Sequence, residues 1–149
     1  MVLTVARFFS LLFTGLALGP ALAHLLELPN KIGLSYDEYR TVQQIYRGWA
    51  LLGFVVAGAL LSTFVLMIKV RSRPKPFRLT LLAFLCIVGA QIAFWTFTYP
   101  ANQQTHNWAV LPENWMTLRA QWEYSHAVGA LLSLVAFVSL ISSVLAGDK

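Results

Sequence analysis

Residues 46–78, YRGWALLGFVVAGALLSTFVLMIKVRSRPKPFR, hold a long apolar run followed at once by a basic segment. A bilayer core about 30 Å thick takes about 20 apolar residues in a helix to cross, and residues 46–68 meet that length. Residues 69–78 then carry five of the eleven Lys and Arg and no acid. Short loops rich in Lys and Arg stay in the cytoplasm. The stretch therefore predicts a membrane-spanning helix that ends at the cytoplasmic face.

Three further apolar runs lie on either side of this stretch, near residues 8–28, 79–99 and 122–146. The composition agrees with four membrane spans, because 58% of the residues are hydrophobic, 11% are charged and the mean hydropathy is +0.65. A soluble domain carries roughly 25% charged residues. No repeat or change of composition marks a second domain. We therefore predict an all-α fold, one integral-membrane four-helix bundle over residues 1–149.

The distribution of charge predicts the orientation of the bundle. An even number of spans puts the N- and C-termini on the cytoplasmic side with the basic loop, and Arg7 agrees with that placement. The net charge of +5 is thereby explained by topology, so we expect contact with membrane lipids and none with nucleic acid. The single cysteine, Cys86, excludes an intrachain disulfide and a Cys-based zinc site.

Local patterns predict how the helices pack and where one of them begins. Small residues recur four apart in each span and would let helix backbones approach closely; the pairs are Gly15 with Gly19, Gly53 with Ala57, Gly89 with Ala93, and Gly129 with Ser133. Ser35 and Glu38 have the spacing of a capping box. We expect a helix to start there and to run through Tyr46 into the second span.

Two motifs of ionisable residues lie near the ends of the first and fourth spans. His24 precedes Glu27 by three residues, and Glu123 precedes His126 by three, so each helix presents both side chains on one face. The two helices are antiparallel, which brings both motifs to the same leaflet. A rise of 1.5 Å per residue places all four residues within about 9 Å vertically. Ionisable residues in a membrane span are functional candidates by default, and we predict a shared site near the non-cytoplasmic boundary.

Two imidazoles and two carboxylates are ligands that suit a metal ion, iron first, with zinc, manganese and copper as alternatives. The predicted ligands are His24, Glu27, Glu123 and His126. A diiron bundle needs further Glu residues from the other two helices, and the second and third spans contain no acid, which favours a single metal. Three other interpretations stay open: acid–base catalysis by Glu27 and Glu123, haem ligation by the two histidines, and ion pairs that only stabilise helix ends.

Other polar and aromatic residues on the same side are candidates for substrate contact. Tyr46 lies at the start of the second span, Trp95 lies near the end of the third, and Asn102 follows Pro100. We predict these three residues, Tyr46, Trp95 and Asn102, as substrate-binding, although Asn102 suits the cap of a turn equally well.

Four pieces of the sequence resemble the small four-span membrane proteins of the anthrone-oxygenase-like group. They are AHLLELPN (23–30), YPANQQTHNW (99–108), LPENW (111–115) and LRAQWEYSHA (118–127). The resemblance implies a membrane oxidoreductase, a monooxygenase that oxygenates an apolar phenolic or polycyclic ring and that is usually described as needing neither flavin nor haem. Residues that match are His24, Glu27, Asn102, Trp122, Glu123 and His126.

The leading hypothesis is therefore an integral-membrane oxidoreductase that binds a metal ion and acts on a small, lipid-soluble substrate at the non-cytoplasmic side of a multi-pass membrane protein. The rivals are a haem-binding electron carrier and a non-enzymatic bundle that serves as a subunit. The sequence is also compatible with a homo-oligomer.

Overall fold

The computed structural model describes residues 1–146 and consists of helices joined by short connections. The α-helices are α1 (Val2–Lys31), α2 (Tyr36–Gln43), α3 (Leu52–Lys69), α4 (Pro74–Ala93), α5 (Tyr99–Gln104) and α6 (Trp115–Ala146). Two 3-10 turns, Gln44–Tyr46 and Trp49–Leu51, lead from α2 to α3, and a π-helical turn, Phe94–Thr98, joins α4 to α5.

Four helical stretches within residues 1–146 are long and apolar enough to cross a membrane. They are Val2–Lys31, Trp49–Lys69, Pro74–Gln104 and Trp115–Ala146. The predicted all-α, four-span architecture is thus confirmed. Which end faces the cytoplasm stays a prediction from the charge distribution.

The four long helices form a ring in which α1 packs against α3 and α6, and α4 packs against α6 and α3. One buried cluster lies at the end that holds the α3–α4 connection, with Ala6, Leu66 and Leu140 among its members. A second cluster lies at the opposite end and consists of Tyr39, Ala101, Trp108, Leu111, Leu118 and Trp122. We call this second region the aromatic end. It is the end that carries the predicted functional residues.

Two of the helices run further than the sequence predicted, past a proline in each case. The first span, predicted to end at residue 28, continues through Pro29 to Lys31. The third, predicted to end at residue 99, continues past Pro100 to Gln104. A proline lacks the N–H that would bond to the preceding turn, and the π-helical turn before Pro100 accommodates this loss. Within that turn, the carbonyl of Phe97 accepts a hydrogen bond from Gln121 Nε2 at 2.7 Å.

The predicted continuous helix from Ser35 into the second span is wrong, although its start is right. At Ser35 the backbone N–H and the hydroxyl both donate to Glu38 Oε2, at 2.9 and 2.6 Å, and they hold the pKa of the Glu38 carboxyl below its usual value. The helix then ends at Gln43. Arg47 is extended and Gly48 has a φ of +90°, a conformation that glycine adopts without steric cost.

Close approach between helices is found at a glycine that the predicted pairs did not include. A Cβ built on Gly58 would lie 2.8 Å from ring carbons of Phe13, whereas one on Gly15 would meet Phe137 at an ordinary 3.4 Å. At Gly19 and Gly53 nothing lies within 4 Å of such a Cβ among the described residues. The tight crossing of α1 and α3 is therefore at Gly58.

We predict that Gly58→Ala lowers the free energy of unfolding by about 1–3 kcal/mol, because an added methyl group in a filled interface forces neighbours out of position. Gly53→Ala on the same helix is the matched control and should leave stability unchanged or raise it by up to about 1 kcal/mol, because alanine favours the helix more than glycine. Unfolding in a mild detergent, followed by circular dichroism, measures both. Equal effects of the two substitutions would contradict the predicted contact.

Candidate functional site

The structure brings the two predicted His/Glu motifs together at the aromatic end. The rings of His24 and His126 lie with centroids 4.2 Å apart, and His24 Nδ1 is 4.0 Å from Glu27 Oε2. Glu123, which is fully buried on α6, joins the group through a side chain of α1. The expected meeting of the first and last spans is therefore seen.

Lys31 is the residue that connects the two carboxylates. Its Nζ lies 3.0 Å from Glu123 Oε1 and 3.7 Å from Glu27 Oε2, and it donates a hydrogen bond to the hydroxyl of Tyr46 at 2.8 Å. The ammonium also lies 4.6 Å from the ring centroid of Trp122, within cation–π range. Lys31 is only 3% exposed, so a buried cation sits among these groups.

Sequence reasoning missed Lys31 because it treated Pro29 as the start of a loop. With the helix continuing past Pro29, Lys31 lies four residues after Glu27 and seven after His24, on the same helix face. That spacing was the feature of the sequence that could have identified Lys31 as part of the site.

Glu123 has a second partner from α2. Tyr39, which is also fully buried, donates its hydroxyl to Glu123 Oε1 at 3.0 Å and accepts a hydrogen bond from Gln43 Nε2 at 2.6 Å. Burial raises the pKa of the Tyr39 phenol, and the nearby Glu123 carboxylate raises it further. Tyr39 is therefore a neutral hydrogen-bond donor. The other oxygen, Glu123 Oε2, has no hydrogen-bond partner among residues 1–146.

Glu27 is the accessible carboxylate of the cluster, with a side chain that is 33% exposed. It accepts a hydrogen bond from the hydroxyl of Tyr46. Burial raises the pKa of the Tyr46 phenol, and the hydrogen bond to Glu27 adds to the effect. The Tyr46 ring packs against His24 and Trp49, with centroid distances of 4.7 and 5.0 Å.

The rings of the two histidines are in contact, but their hydrogen bonds differ. His126 Nδ1 lies 2.9 Å from the carbonyl of Trp122, and because a carbonyl can only accept, Nδ1 is the donor of this hydrogen bond. His24 is 6% exposed, and its Nδ1 has no hydrogen-bond partner within the described part of the chain.

This arrangement does not fit a metal ion as it stands. In residues 1–146 no group of three or more His, Cys, Asp or Glu side chains is placed to hold one. The position between Glu27 and Glu123 is taken by the ammonium of Lys31, whose charge would repel a metal cation. The two imidazole rings are in contact, so a haem between them would require them to separate. The metal and the haem ligation stay predictions.

The three predicted substrate-binding residues have different surroundings. Tyr46 contacts Glu27 and Lys31, as described. Asn102 Oδ1 accepts hydrogen bonds from Trp108 Nε1 at 3.1 Å and Trp122 Nε1 at 2.9 Å, so it links two buried indoles. Trp95 is 60% exposed, and its closest ring contacts are with Tyr99 and Phe94. Tyr46 therefore lies within the cluster, Asn102 lies at its edge, and Trp95 lies on the outer surface.

A left-handed turn that the sequence did not predict supports the part of the site formed by Asn102 and Trp108. His106, Asn107 and Trp108 have φ values of 49°, 55° and 64°, which are unfavourable for residues other than glycine. Trp108 is 3% exposed, and its ring lies 5.1 Å from that of Tyr39. Burial of this indole and its hydrogen bond to Asn102 offset the cost of the turn.

Comparison with known proteins finds no relative: no family model, no curated protein and no solved structure matches the chain. The resemblance to the anthrone-oxygenase-like group therefore stays a prediction.

We predict that Lys31→Met lowers the free energy of unfolding by about 3–5 kcal/mol, because it leaves the buried Glu123 carboxylate without its cation. Lys69→Met, at an exposed lysine at the end of α3, is the control and should have little effect. Thermal and denaturant unfolding in detergent measures the difference.

The double variant Lys31→Met with Glu123→Leu should recover most of that loss, since an apolar pair of similar volume can replace a buried ion pair. A double variant no more stable than Lys31→Met alone would show that the two side chains are not coupled.

Proposed function

We propose that this protein is an integral-membrane oxidoreductase of the oxygenase type, which acts on an apolar phenolic or polycyclic substrate, and that the cluster at the aromatic end is its acid–base centre. One observation supports this above the others. A partly exposed carboxylate, Glu27, lies 3.7 Å from a buried ammonium, Lys31, beside the rings of His24, Tyr46 and Trp122. A base, a cation and flat apolar walls are what the deprotonation of a phenolic ring requires.

The first step is removal of a proton from the substrate by Glu27. A carboxylate within hydrogen-bond reach of an acidic proton acts as a general base, worth typically about 10²–10⁴ in rate. The electron pair left behind spreads onto the ring oxygen, where the ammonium of Lys31 stabilises the negative charge. Charge stabilisation of this kind is stronger in a site that excludes water.

Dioxygen is the oxidant in the second step. The substrate carbanion forms a carbon–oxygen bond with O₂, and a proton from Glu27 completes a hydroperoxide on the substrate. Loss of water then breaks the O–O bond and leaves a carbonyl. A methylene group that becomes a carbonyl gives up four electrons and O₂ accepts four, so one oxygen atom enters the product, the other leaves as water, and no reductant is needed.

Glu123 has a different role from Glu27 in this proposal. It is fully buried, and its Oε1 receives both Lys31 Nζ at 3.0 Å and the Tyr39 hydroxyl at 3.0 Å. Those contacts fix the position of the ammonium. We therefore assign Glu123 as a positioning residue and Glu27 as the base, where the sequence had suggested both as catalytic.

The expected location of the site follows from the positive-inside rule, by which short loops rich in Lys and Arg stay in the cytoplasm. The cluster lies at the end of the bundle opposite the basic α3–α4 connection, which the rule assigns to the cytoplasm. The substrate would then reach Glu27 from the lipid near the non-cytoplasmic boundary.

We predict that Glu27→Gln lowers the rate of O₂-dependent oxidation of an anthrone by about 10²-fold or more, because an amide cannot accept the proton. The assay uses protein in nanodiscs and follows oxygen uptake and quinone absorbance, with the uncatalysed rate subtracted. Glu113→Gln, at an exposed loop carboxylate, is the control and should keep full activity. Wild-type protein with no activity above background would favour the non-enzymatic bundle.

The metal-dependent form of the oxidoreductase is tested separately by elemental analysis of protein purified without chelators. The acid–base proposal predicts no stoichiometric metal in the wild type and no difference from the double variant His24→Ala, His126→Ala. One iron, zinc, manganese or copper per chain, lost in the double variant, would replace the acid–base centre with the metal site that the sequence suggested. A Soret band in the visible spectrum would instead favour the haem carrier.

A further inference from the structure

The phenol of Tyr46 occupies the centre of the candidate site. Its oxygen accepts a hydrogen bond from Lys31 Nζ at 2.8 Å and donates its proton to Glu27. A donor and an acceptor therefore meet at a single hydroxyl group. Only a ligand oxygen that both accepts and donates can satisfy the two partners at once: a quinone carbonyl or an ether has no proton for Glu27, and an amine would face the ammonium.

The ring of Tyr46 is partly buried and packs against other rings. Ring centroids lie 4.7 Å away at His24, 5.0 Å at Trp49 and 5.5 Å at Trp122, and Lys31 Nζ lies 4.5 Å from the Tyr46 centroid. These contacts define a slot for one flat aromatic ring.

Tyr46 is attached to the rest of the molecule through a loosely packed segment. None of the residues in the turns Gln44–Tyr46 and Trp49–Leu51 is buried, and Arg47 and Gly48 between them are exposed. Arg47 is extended and Gly48 has a φ of +90°, so two consecutive residues depart from helical geometry. The segment lies between α2 and α3, so Tyr46 belongs to neither helix and has few buried neighbours along the chain to hold its side chain in place.

We infer that the side chain of Tyr46 occupies the binding place of a ligand. The space it fills is a subsite for a phenol or hydroquinone ring, which displaces Tyr46 when it binds between Lys31 and Glu27. This inference deepens the proposed function and rests on it for the role of Glu27 as a base. Binding needs no turnover, so the subsite and the oxidation can be tested apart. Binding of the phenol without consumption of oxygen would support the subsite and contradict the proposed oxidation.

The test uses Tyr46→Ala, which removes the phenol ring and keeps Cβ; 4-methylphenol is the small-molecule equivalent of the whole tyrosine side chain. We expect 4-methylphenol to raise the melting temperature of this variant and to bind about tenfold or more tightly than toluene, because hydrogen bonds to charged partners supply the difference. Toluene controls for simple partitioning into an apolar cavity. Tyr124→Ala, at an exposed tyrosine of α6, is the matched variant and should show no preference.

The double variant Tyr46→Ala, Glu27→Leu, which removes the acceptor at position 27, identifies the partner of the ligand hydroxyl. It should lose most of the preference for 4-methylphenol over toluene. Equal binding of the two ligands by Tyr46→Ala, or a preference unaffected by Glu27→Leu, would overturn the inference.

Wild-type protein provides a second measurement if Tyr46→Ala does not fold. A long-chain 4-alkylphenol should raise the melting temperature of the wild type, whereas the matching 4-alkylanisole, which has no O–H, should not. Identical shifts with the two compounds would also overturn the inference.

Discussion

The ammonium of Lys31 is the charge on which the aromatic end depends. It lies between Glu27 on its own helix and Glu123 on α6, at 3.7 and 3.0 Å, and it is buried. A lone ion in such surroundings costs several kcal/mol, so neither the lysine nor Glu123 is stable there without the other. Through this pair the first and last spans are held in one register.

The other polar residues of the cluster follow from that pair. Tyr39 of α2 and Tyr46 of the segment before α3 each donate a hydroxyl to one of the two carboxylates. Helix α2 and the segment before α3 are thereby held against the end of the bundle that contains the two histidines. A membrane bundle needs none of these groups to cross the bilayer, and ionisable groups in such a place are costly and usually functional. The packing of this cluster is therefore the basis of the proposed acid–base chemistry.

Sequence patterns predicted what depends on near neighbours along the chain. Apolar length gave the four spans, and spacing of three placed His24 beside Glu27 and Glu123 beside His126. Lys31 was missed because Pro29 looked like a helix end, yet a proline is tolerated where neighbouring helices hold the turn. The break at Gly48 and the left-handed turn at Trp108 depend on partners such as Asn102 and Glu27, which come together only in the folded bundle. Local periodicity carries no information about those contacts.

Solid-state NMR of the protein in bilayers tests the central contact most directly, with ¹⁵N at lysine Nζ and ¹³C at the glutamate carboxyl. The distances of 3.0 Å from Lys31 Nζ to Glu123 Oε1 and 3.7 Å to Glu27 Oε2 predict strong dipolar dephasing of one lysine signal, which Lys31→Met removes and Glu123→Gln weakens. Dephasing that is absent, or that persists unchanged in Lys31→Met, would contradict the ion pair and the site built around it.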